Sequence, residues 1–370
     1  MKTPKRRIVV KVGSSSLTDD QGRIDRSAIA DLTRQLAGQF KDGSQLVLVT
    51  SGAIRAGTER LALRTRPRTM PEKQAAAAVG QGLLHHTYTE LFGESGITTA
   101  QILLTRDDFS DRRRYLNARN TLNTLLGLRT IPIVNENDTV ATEEIKFGEN
   151  DTLAALVAAA IGADLLILLS DVAGLYDTRK TSMRRGQLVS EVKRIGRDIV
   201  AMAGGTNGPA GSGGMRTKIE AARIAMCGGV TMVIADARAR GVVADVVSGK
   251  PVGTRFIPDA CSLSGKKLWM AFGAPVRGTL VVNEGAREML VNKGKSLLAA
   301  GIVDVQGNFE AGDLVAIEGE DNARFGRGFV NYSAAETRLI EGKRSGEIEG
   351  ILGHKDFDEV VHRDNMVMGV

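Results

Sequence analysis

Lys11 interrupts an apolar run, Ile-Val-Val-Lys-Val, and the run is followed directly by Gly13-Ser14-Ser15-Ser16. Burying an ammonium group without a partner is very unfavourable, so a lysine inside such a strand needs an anion. The alternative is an edge position from which the side chain reaches water. The small residues that follow favour an anion, because their exposed backbone N–H groups are suited to binding a phosphate.

A second candidate phosphate-binding segment is the sequence Gly-Ser-Gly-Gly-Met-Arg-Thr-Lys at residues 211–218. It is a glycine-rich loop that leads into a helical pattern, with Lys218 on the first turn. It is not a Walker A motif, in which Gly-Lys-Ser/Thr directly follows four variable positions. Glycine N–H groups can still surround phosphate oxygens while Lys218 neutralises their charge. The alternative is a flexible surface loop with a solvated lysine.

Two segments rich in carboxylates and amides could serve the same site: Asn-Glu-Asn-Asp at 135–138 and Gly-Glu-Asn-Asp at 148–151. The first could be an ordinary turn, and Asp151 could be a helix N-cap. An enzyme that places two lysines on phosphates also needs carboxylates to hold them apart and to bind magnesium or a substrate ammonium. In the segment Ser51-Gly52, the glycine allows close backbone approach, so the N–H groups of the turn could bind a carboxylate or phosphoryl oxygen.

Most of these segments follow short runs rich in Val, Ile and Leu, which predict strands buried on both faces. The runs are Ile8–Val12, Leu46–Val49, Ile102–Leu104, Ile131–Val134, Leu165–Leu169 and Met232–Ala235. Helical patterns lie between them, at 26–40, 71–92, 111–127, 151–162 and 215–227. The alternation predicts an α/β fold with an open, mostly parallel sheet sandwiched by helices. Ligands bind beyond the carboxyl ends of such strands, where these polar segments and Ser170-Asp171 would meet.

The chain has 370 residues, 42% hydrophobic and 25% charged, which suggests a globular protein of two or three domains. After about residue 260 the pattern changes to strand-like segments, which indicates a smaller, mainly β domain. These segments are Leu280–Val282, Leu314–Ile317 and Phe329–Tyr332. We predict a catalytic domain at 1–260, a linker at 261–275, a second domain at 276–354 and a tail at 355–370.

The distribution of charge along the chain argues against an RNA-binding protein, which is the main alternative to an enzyme. The net charge is +6, yet residues 275–354 hold 9 Lys and Arg against 12 Asp and Glu, a net charge of −3. Affinity for RNA comes largely from neutralising phosphates, so we do not expect that region to bind RNA. Four histidines and two cysteines show no metal or disulfide pattern. The first residues lack the apolar length of a signal peptide, and Asp164 breaks the longest apolar stretch, so we expect a cytoplasmic protein with no membrane contact.

The ordered set of motifs resembles the amino acid kinase superfamily, and within it the two-domain bacterial glutamate 5-kinases. Between residues 8 and 218 the motifs are Val-Val-Lys-Val-Gly-Ser-Ser, Val-Thr-Ser-Gly-Ala-Ile, Val-Asn-Glu-Asn-Asp, Phe-Gly-Glu-Asn-Asp, Leu-Leu-Ser-Asp, Gly-Leu-Tyr and Gly-Ser-Gly-Gly-Met-Arg-Thr-Lys. The later segments Gly-Asn-Phe-Glu-Ala-Gly-Asp-Leu-Val and Ile-Leu-Gly-His resemble a PUA domain, a small pseudo-barrel. The resemblance thus covers nearly the whole chain.

This resemblance implies an ATP- and Mg²⁺-dependent kinase that phosphorylates the γ-carboxylate of L-glutamate. The product would be γ-glutamyl phosphate, the first intermediate toward proline, and proline would be a feedback inhibitor. A homodimer or homotetramer is implied, and contact with the downstream reductase would be useful because acyl phosphates hydrolyse readily. Related kinases act on N-acetylglutamate, aspartate, carbamate or uridine monophosphate. The acidic segment at 135–138 favours a substrate with a free amino group over an acetylated one.

The resemblance also implies roles for individual residues. Lys11 and Lys218 match lysines that stabilise charge on the transferring phosphoryl group, and Asp151 matches the acid that organises them. The positions matched to glutamate binding are Ser51, Gly52, Asp138 and Asn150, with Asn135 close by, and Gly13 is a further backbone donor. The positions matched to ATP binding are Lys11, Ser170, Asp171, Ser212, Gly213, Gly214, Met215, Arg216, Thr217 and Lys218. The chain departs from the family pattern at Glu149, where many members carry Asp, and at Ser170, where Thr is common.

Overall fold

The computed structural model describes residues 6–19, 23–63, 65–140, 149–177, 186–203, 214–258, 263 and 265–369. The chain forms two compact units. The first comprises Met1–Phe109 with Arg113–Leu263, and the second comprises Ser110–Arg112 with Ser264–Val370. The first unit therefore contains every residue that the sequence places in the candidate site.

The strands of the first unit are short apolar segments, as expected for strands that are buried on both faces. They are β1 (Arg7–Val12), β2 (Gln45–Val49), β3 (Thr99–Leu104), β4 (Ile131–Glu136), β5 (Leu165–Ser170), β6 (Tyr176–Asp177), β7 (Gln187–Leu188), β8 (Glu191–Val192), β9 (Thr231–Asp236) and β10 (Thr254–Phe256). Within the described ranges, eight of them form one sheet in the order β3-β4-β2-β1-β5-β9-β10-β8, and β6 pairs with β7. Neighbours from β3 to β9 run parallel, and β10 is antiparallel to β9. The prediction of an open, mostly parallel sheet is confirmed.

Helices cover both faces of this sheet. They are α1 (Arg26–Lys41), α2 (Ala53–Arg60), α3 (Met70–Gly93), α4 (Arg106–Ser110), α5 (Arg112–Gly127), α6 (Glu149–Ile161), α7 (Arg197–Met202), α8 (Met215–Cys227) and α9 (Val242–Val247). One core packs alternate strand residues such as Ile8 and Val10 against α1, α3 and α9. Val9 and Lys11 alternate with them and so point to the other face, where α6 packs on β1 and α8 packs on α6. Lys11 therefore faces the side of the sheet that α6 and α8 cover.

Helices α2 and α3 cross with their backbones almost in contact. A Cβ atom on Gly80 would lie 1.8 Å from the carbonyl oxygen of Ala53, and one on Gly57 would lie 1.7 Å from that of Ala76. Glycine is the residue that permits such close approach. The crossing holds the beginning of α2, and the turn that precedes it, against the middle of α3.

The second unit is a smaller sheet with short helices. Its elements are α10 (Gly265–Leu268), β11 (Val276–Val282), α11 (Glu284–Lys293), β12 (Ile302–Gly307), β13 (Leu314–Gly319), β14 (Arg324–Phe329), α12 (Ala334–Ile340), α13 (Ile348–Leu352) and β15 (Met366–Met368). Among the described residues the sheet order is β12-β11-β13-β14-β15, and β11 and β13 are parallel. Its core includes Leu280, Ile317 and Val361. Residues 366–368, which the sequence places in a tail, form a strand of this sheet.

The predicted strand Phe329–Tyr332 is wrong in its position. Strand β14 runs from Arg324 to Phe329, and its sequence Arg-Phe-Gly-Arg-Gly-Phe lacks the apolar pattern that suggested a strand ending three residues later. The glycines are needed because β15 and its surroundings pack closely on them: a Cβ atom on Gly328 would lie 2.4 Å from Cγ1 of Val361. Close packing has replaced apolar alternation as the determinant of this strand.

None of the helices in the described part of the chain combines the length and the apolar character needed to cross a membrane.

Candidate active site

Lys11 and Lys218 meet at a single carboxylate. Lys11 lies near the end of β1, and its Nζ is 2.5 Å from Oδ1 of Asp151 in the first turn of α6. Lys218 lies in the first turn of α8, and its Nζ is 3.1 Å from Oδ2 of the same carboxylate. Three elements that are distant in sequence thus form one group, the lysine–aspartate cluster of Lys11, Asp151 and Lys218.

This geometry decides two alternatives that the sequence left open. Strand β1 is central, between β2 and β5, so Lys11 is not an edge lysine. Asp151 is the third residue of α6, inside the helix, and its side chain is occupied by the two lysines. It is therefore not the N-cap of that helix.

The lysine–aspartate cluster is buried, with 6% of Lys11, 0% of Asp151 and 7% of Lys218 exposed. Burial by itself raises the pKa of Asp151, but the charges and hydrogen bonds of Lys11 and Lys218 outweigh burial and bring that pKa to about 2. The carboxylate is therefore ionised at neutral pH. The three side chains together carry one net positive charge, which suits an anionic ligand.

The beginning of α8 lies beside the cluster. Gly214 is the N-cap without a side-chain hydrogen bond, and Met215 and the exposed Arg216 follow it. The Thr217 hydroxyl lies 2.9 Å from the Gly214 carbonyl oxygen and 3.2 Å from Oδ2 of Asp151. Thr217 is thus tied to the cluster as well as to the helix terminus. Ser212 and Gly213 lie outside the described residues.

A neutral network occupies the neighbouring part of the sheet edge. Nδ2 of Asn150, the residue before Asp151, lies 2.7 Å from Oγ of Ser51, 2.9 Å from the Thr50 carbonyl oxygen and 3.1 Å from Oδ1 of Asn135. Nδ2 of Asn135 in turn donates to Oε1 of Gln81 at 2.6 Å. We call Gln81, Asn135, Asn150, Thr50 and Ser51 the amide network.

Gly52 follows Ser51 of the amide network and is the N-cap of α2. Its φ of 108° lies in the left-handed region that favours glycine. A Cβ atom there would meet only Ile24 Cδ1, at 3.7 Å, so conformation rather than space requires glycine. The turn after β2 reaches α2 through this residue, which holds Ser51 at the edge of the sheet.

Sequence reasoning missed Gln81 and Tyr88, and it named Thr50 only as part of the polar segment Thr50-Ser51-Gly52-Ala53 after a strand. Thr50 and Tyr88 are fully buried, and their hydroxyl oxygens are 2.9 Å apart. Gln81 lies on the buried face of α3, whose other members are Ala76, Ala77, Gly80, Leu84, Tyr88 and Phe92. A glutamine on this buried face is the signal that could have identified it.

Asp138 lies just beyond β4, three residues after Asn135. Burial raises its pKa to about 6. Burial, and after it the charge of Asp138, raises the pKa of Glu136 to about 7. Among the described residues, no hydrogen bond or ion pair joins Asp138 to the amide network. A half-buried carboxylate with a raised pKa favours a cationic partner, and we return to it below.

Ser170 and Asp171 lie at the carboxyl end of β5, the neighbour of β1. Ser170 is buried, and its hydroxyl donates to Oδ1 of the exposed Asp171 at 3.0 Å. Gly13 follows β1, and its N–H donates to the Leu169 carbonyl oxygen at 3.4 Å. Both segments therefore end at the same edge of the sheet. Glu149 begins α6, and its side chain lies outside the described residues.

Family models and relatives give a consistent assignment. The model of the amino acid kinase family matches residues 6–236, and the PUA domain model matches residues 278–352. A glutamate 5-kinase of Caldanaerobacter subterraneus is 48% identical over 98% of this chain and 97% of its own length. A glutamate 5-kinase of Burkholderia cenocepacia is 48% identical over 98% of both chains. Moorella thermoacetica has one that is 47% identical over 98% of this chain and 96% of its own length.

A solved structure supports the fold of the first unit. Carbamate kinase from Giardia lamblia bound to AMP-PNP superposes with a TM-score of 0.50 and 17% sequence identity, covering 69% of this chain and 99% of that chain. At this identity the likeness is one of fold.

Proposed function

The chain belongs to the glutamate 5-kinase family of amino acid kinases, and we propose that Lys11, Lys218 and Asp151 carry the phosphoryl transfer in its ATP-dependent phosphorylation of glutamate. The observation that supports these roles is the lysine–aspartate cluster. Two ammonium groups held by one buried carboxylate form a fixed source of positive charge at the sheet edge where ligands of such folds bind.

The reaction depends more on positioning of the reactants and on charge stabilisation than on proton transfer. An oxygen of the glutamate γ-carboxylate attacks the γ-phosphorus of ATP, the bond to the β,γ-bridging oxygen breaks, and γ-glutamyl phosphate and ADP result. The attacking carboxylate is already ionised at neutral pH, so no general base is needed. The developing charge lies on phosphoryl oxygens, and preorganised ammonium groups stabilise it. Lys11 and Lys218 fit that role because Asp151 fixes both.

The amide network and its surroundings are the proposed glutamate site. Ser51 and Asn150 offer a hydroxyl and an amide, Asn135 supports Asn150, and Gly52 offers a backbone N–H. We place the substrate ammonium near Asp138, whose carboxylate gains a cationic partner on binding. Asn150 and Asp151 are consecutive, so the two reacting groups would be brought together at the start of α6.

The proposed nucleotide site comprises the ends of β1 and β5 and the beginning of α8. Lys11, Ser170, Asp171 and residues 212–218 form it. Mg²⁺ stays a prediction from the use of ATP, because among the described residues no group of three or more His, Cys, Asp or Glu side chains could hold a metal ion. Magnesium commonly binds through substrate phosphates and one or two carboxylates.

Family membership supports further proposals about regulation and assembly. We propose that proline inhibits the enzyme, that it forms a homodimer or homotetramer, and that it works in the cytoplasm. Contact with the reductase that consumes γ-glutamyl phosphate is proposed on chemical grounds, since acyl phosphates hydrolyse readily.

Substrate choice is tested by ADP release with ATP and Mg²⁺ and, separately, L-glutamate, N-acetyl-L-glutamate, L-aspartate or UMP. We expect turnover with L-glutamate. Turnover with one of the other three compounds and none with L-glutamate would overturn the substrate assignment.

The role of the lysine–aspartate cluster is tested with Lys218→Gln. We expect kcat to fall by about 10²–10³-fold, as for the loss of one transition-state donor. Lys250→Gln is the matched control, because Lys250 pairs with Asp245 at 2.6 Å on the surface. Normal kcat in folded Lys218→Gln would contradict the assignment.

A further inference from the structure

We infer that Gln81, in the middle of α3, is a positioning residue for the glutamate site and acts through the amides of Asn135 and Asn150. The inference rests on the proposed function, because it takes Asn150 and Ser51 as groups that contact glutamate. Gln81 is only 8% exposed, and its Oε1 accepts the hydrogen bond from Nδ2 of Asn135 at 2.6 Å. Its effect on substrate is therefore transmitted by other side chains.

Gln81 determines the orientation of the Asn135 amide. Asn135 is 1% exposed, and with its Nδ2 facing Gln81, its Oδ1 faces Nδ2 of Asn150 at 3.1 Å. The reversed amide would put an N–H group of Asn135 against the N–H group of Asn150 and an oxygen against Oε1 of Gln81, so both hydrogen bonds would be lost. With the Gln81 acceptor in place, the reversed orientation is excluded.

The orientation of the Asn135 amide in turn determines the orientation of the Asn150 amide. Its Nδ2 is directed at three acceptors: Asn135 Oδ1, the Thr50 carbonyl oxygen and Ser51 Oγ. Among the described residues, Oδ1 of Asn150 is buried without a hydrogen-bond partner. A buried acceptor that lacks a donor is unfavourable, so this oxygen favours a ligand with an N–H group.

Ser51 provides a hydrogen-bond donor beside the Asn150 acceptor. Because its Oγ accepts from Asn150, its own hydroxyl hydrogen is free to donate in another direction. Asn150 thus contributes one acceptor without a donor, and Ser51 contributes one hydroxyl hydrogen free to donate. An α-amino acid carries the matching groups, an ammonium and a carboxylate. Gln81 fixes this arrangement from inside the core, which gives it an influence on substrate affinity without contact with substrate.

The experiment compares wild type with Gln81→Met, which keeps size and burial but removes the acceptor. We expect KM for L-glutamate to rise about tenfold, the effect of one buried hydrogen bond left unmade, with KM for ATP within about twofold of wild type. Leu84→Met is the matched control, because Leu84 lies one turn later on the same buried face of α3. It should leave both KM values unchanged.

Gln81→Glu provides the rescue, since a carboxylate oxygen still accepts from Asn135. We expect its KM for L-glutamate to stay within about threefold of wild type, a distinction that a merely structural role of Gln81 would not produce. If Gln81→Met does not fold, as judged by its melting temperature, Gln81→Glu carries the test alone, and a tenfold rise in its KM would overturn the inference.

The outcomes separate the two levels of the assignment. A wild-type protein that leaves glutamate unphosphorylated would overturn the proposed function and this inference with it. An active wild type with an unchanged KM in Gln81→Met, or with equal rises in KM for ATP and for glutamate, would overturn the role of Gln81 alone.

Discussion

The lysine–aspartate cluster and the amide network meet at consecutive residues, yet they are built in opposite ways. Asp151 holds two ammonium groups on the face of the sheet covered by α6 and α8. Asn150 joins neutral amides and a hydroxyl that lie toward α3. The cluster has charge and little directionality, whereas the network has directionality and no charge. The first suits a phosphoryl group whose charge is spread over several oxygens, and the second suits a small substrate with one donor and one acceptor.

Because of this difference, mutations in the cluster and mutations in the network should affect different steps of the reaction. Loss of charge in the cluster should affect the chemical step, because the charge is needed most in the transition state. Loss of orientation in the network should affect glutamate binding, because hydrogen bonds to the substrate exist before the chemical step. The start of α6 couples both, since one helical turn carries Asn150 and Asp151.

The largest effect is expected from Asp151→Asn. Removing this charge leaves two buried lysines without their shared carboxylate, so kcat should fall by about 10²–10³-fold and the free energy of unfolding by about 3–5 kcal/mol. KM for glutamate should change much less than kcat. Steady-state kinetics and urea unfolding measure the two quantities.

Asp245→Asn is the control for Asp151→Asn, because it removes a carboxylate from the surface ion pair with Lys250. We expect a change in unfolding free energy below about 1 kcal/mol and normal kcat. A retained kcat together with a large rise in KM for glutamate in Asp151→Asn would show that the cluster and the network are not separable as proposed.

A smaller effect is expected at the helix crossing that supports the amide network. In Gly80→Ala the new methyl group would collide with the Ala53 backbone, so α2 and α3 must separate and the free energy of unfolding should fall by about 1–3 kcal/mol or more. The shift displaces the turn that carries Ser51, and KM for glutamate should rise while KM for ATP changes little.

Gly82→Ala, two residues along the same helix, is the matched control. Gly82 is exposed, and a Cβ atom there meets nothing within 4 Å. Alanine should therefore raise the free energy of unfolding by about 1 kcal/mol through helix propensity alone. Equal stability changes in the two variants would contradict the packing argument.

The cluster could be predicted from sequence, and so could Ser51, Asn135 and Asn150 of the amide network, but Gln81 could not. Lys11 is conspicuous because a charge interrupts an apolar strand, and Lys218 because it follows a glycine-rich segment. Gln81 carries no charge, belongs to a helix rather than a strand end, and binds a partner 54 residues away. Local pattern does not reveal which polar residue of a helix faces inward at a crossing. Local pattern also failed to predict the position of β14, because its glycines, which allow close packing, replace the apolar side chains that mark a strand.

The smallest effect expected is a pH dependence of glutamate binding that ATP binding does not share. Burial raises the pKa of Asp138 to about 6, so in the free enzyme this carboxyl group takes up a proton as the pH falls below 6. A protonated Asp138 attracts an ammonium less, and glutamate must then compete with the proton. KM for glutamate should be level above about pH 7 and rise by up to about tenfold per pH unit below 6, while KM for ATP stays nearly constant. The γ-carboxyl group of glutamate itself remains mostly ionised down to about pH 5.

Two variants identify the group responsible for this pH dependence. Asp138→Asn should have a raised KM for glutamate that no longer changes between pH 5 and 8. Glu136→Gln should keep the rise with its midpoint near pH 6, because it retains Asp138, whose pKa is raised by burial. A rise that persists unchanged in Asp138→Asn would exclude Asp138 as the titrating group and would leave the substrate ammonium without its proposed partner. A level profile in wild type would mean that bound glutamate does not need the Asp138 charge, and the neutral amide network would then account for substrate binding by itself.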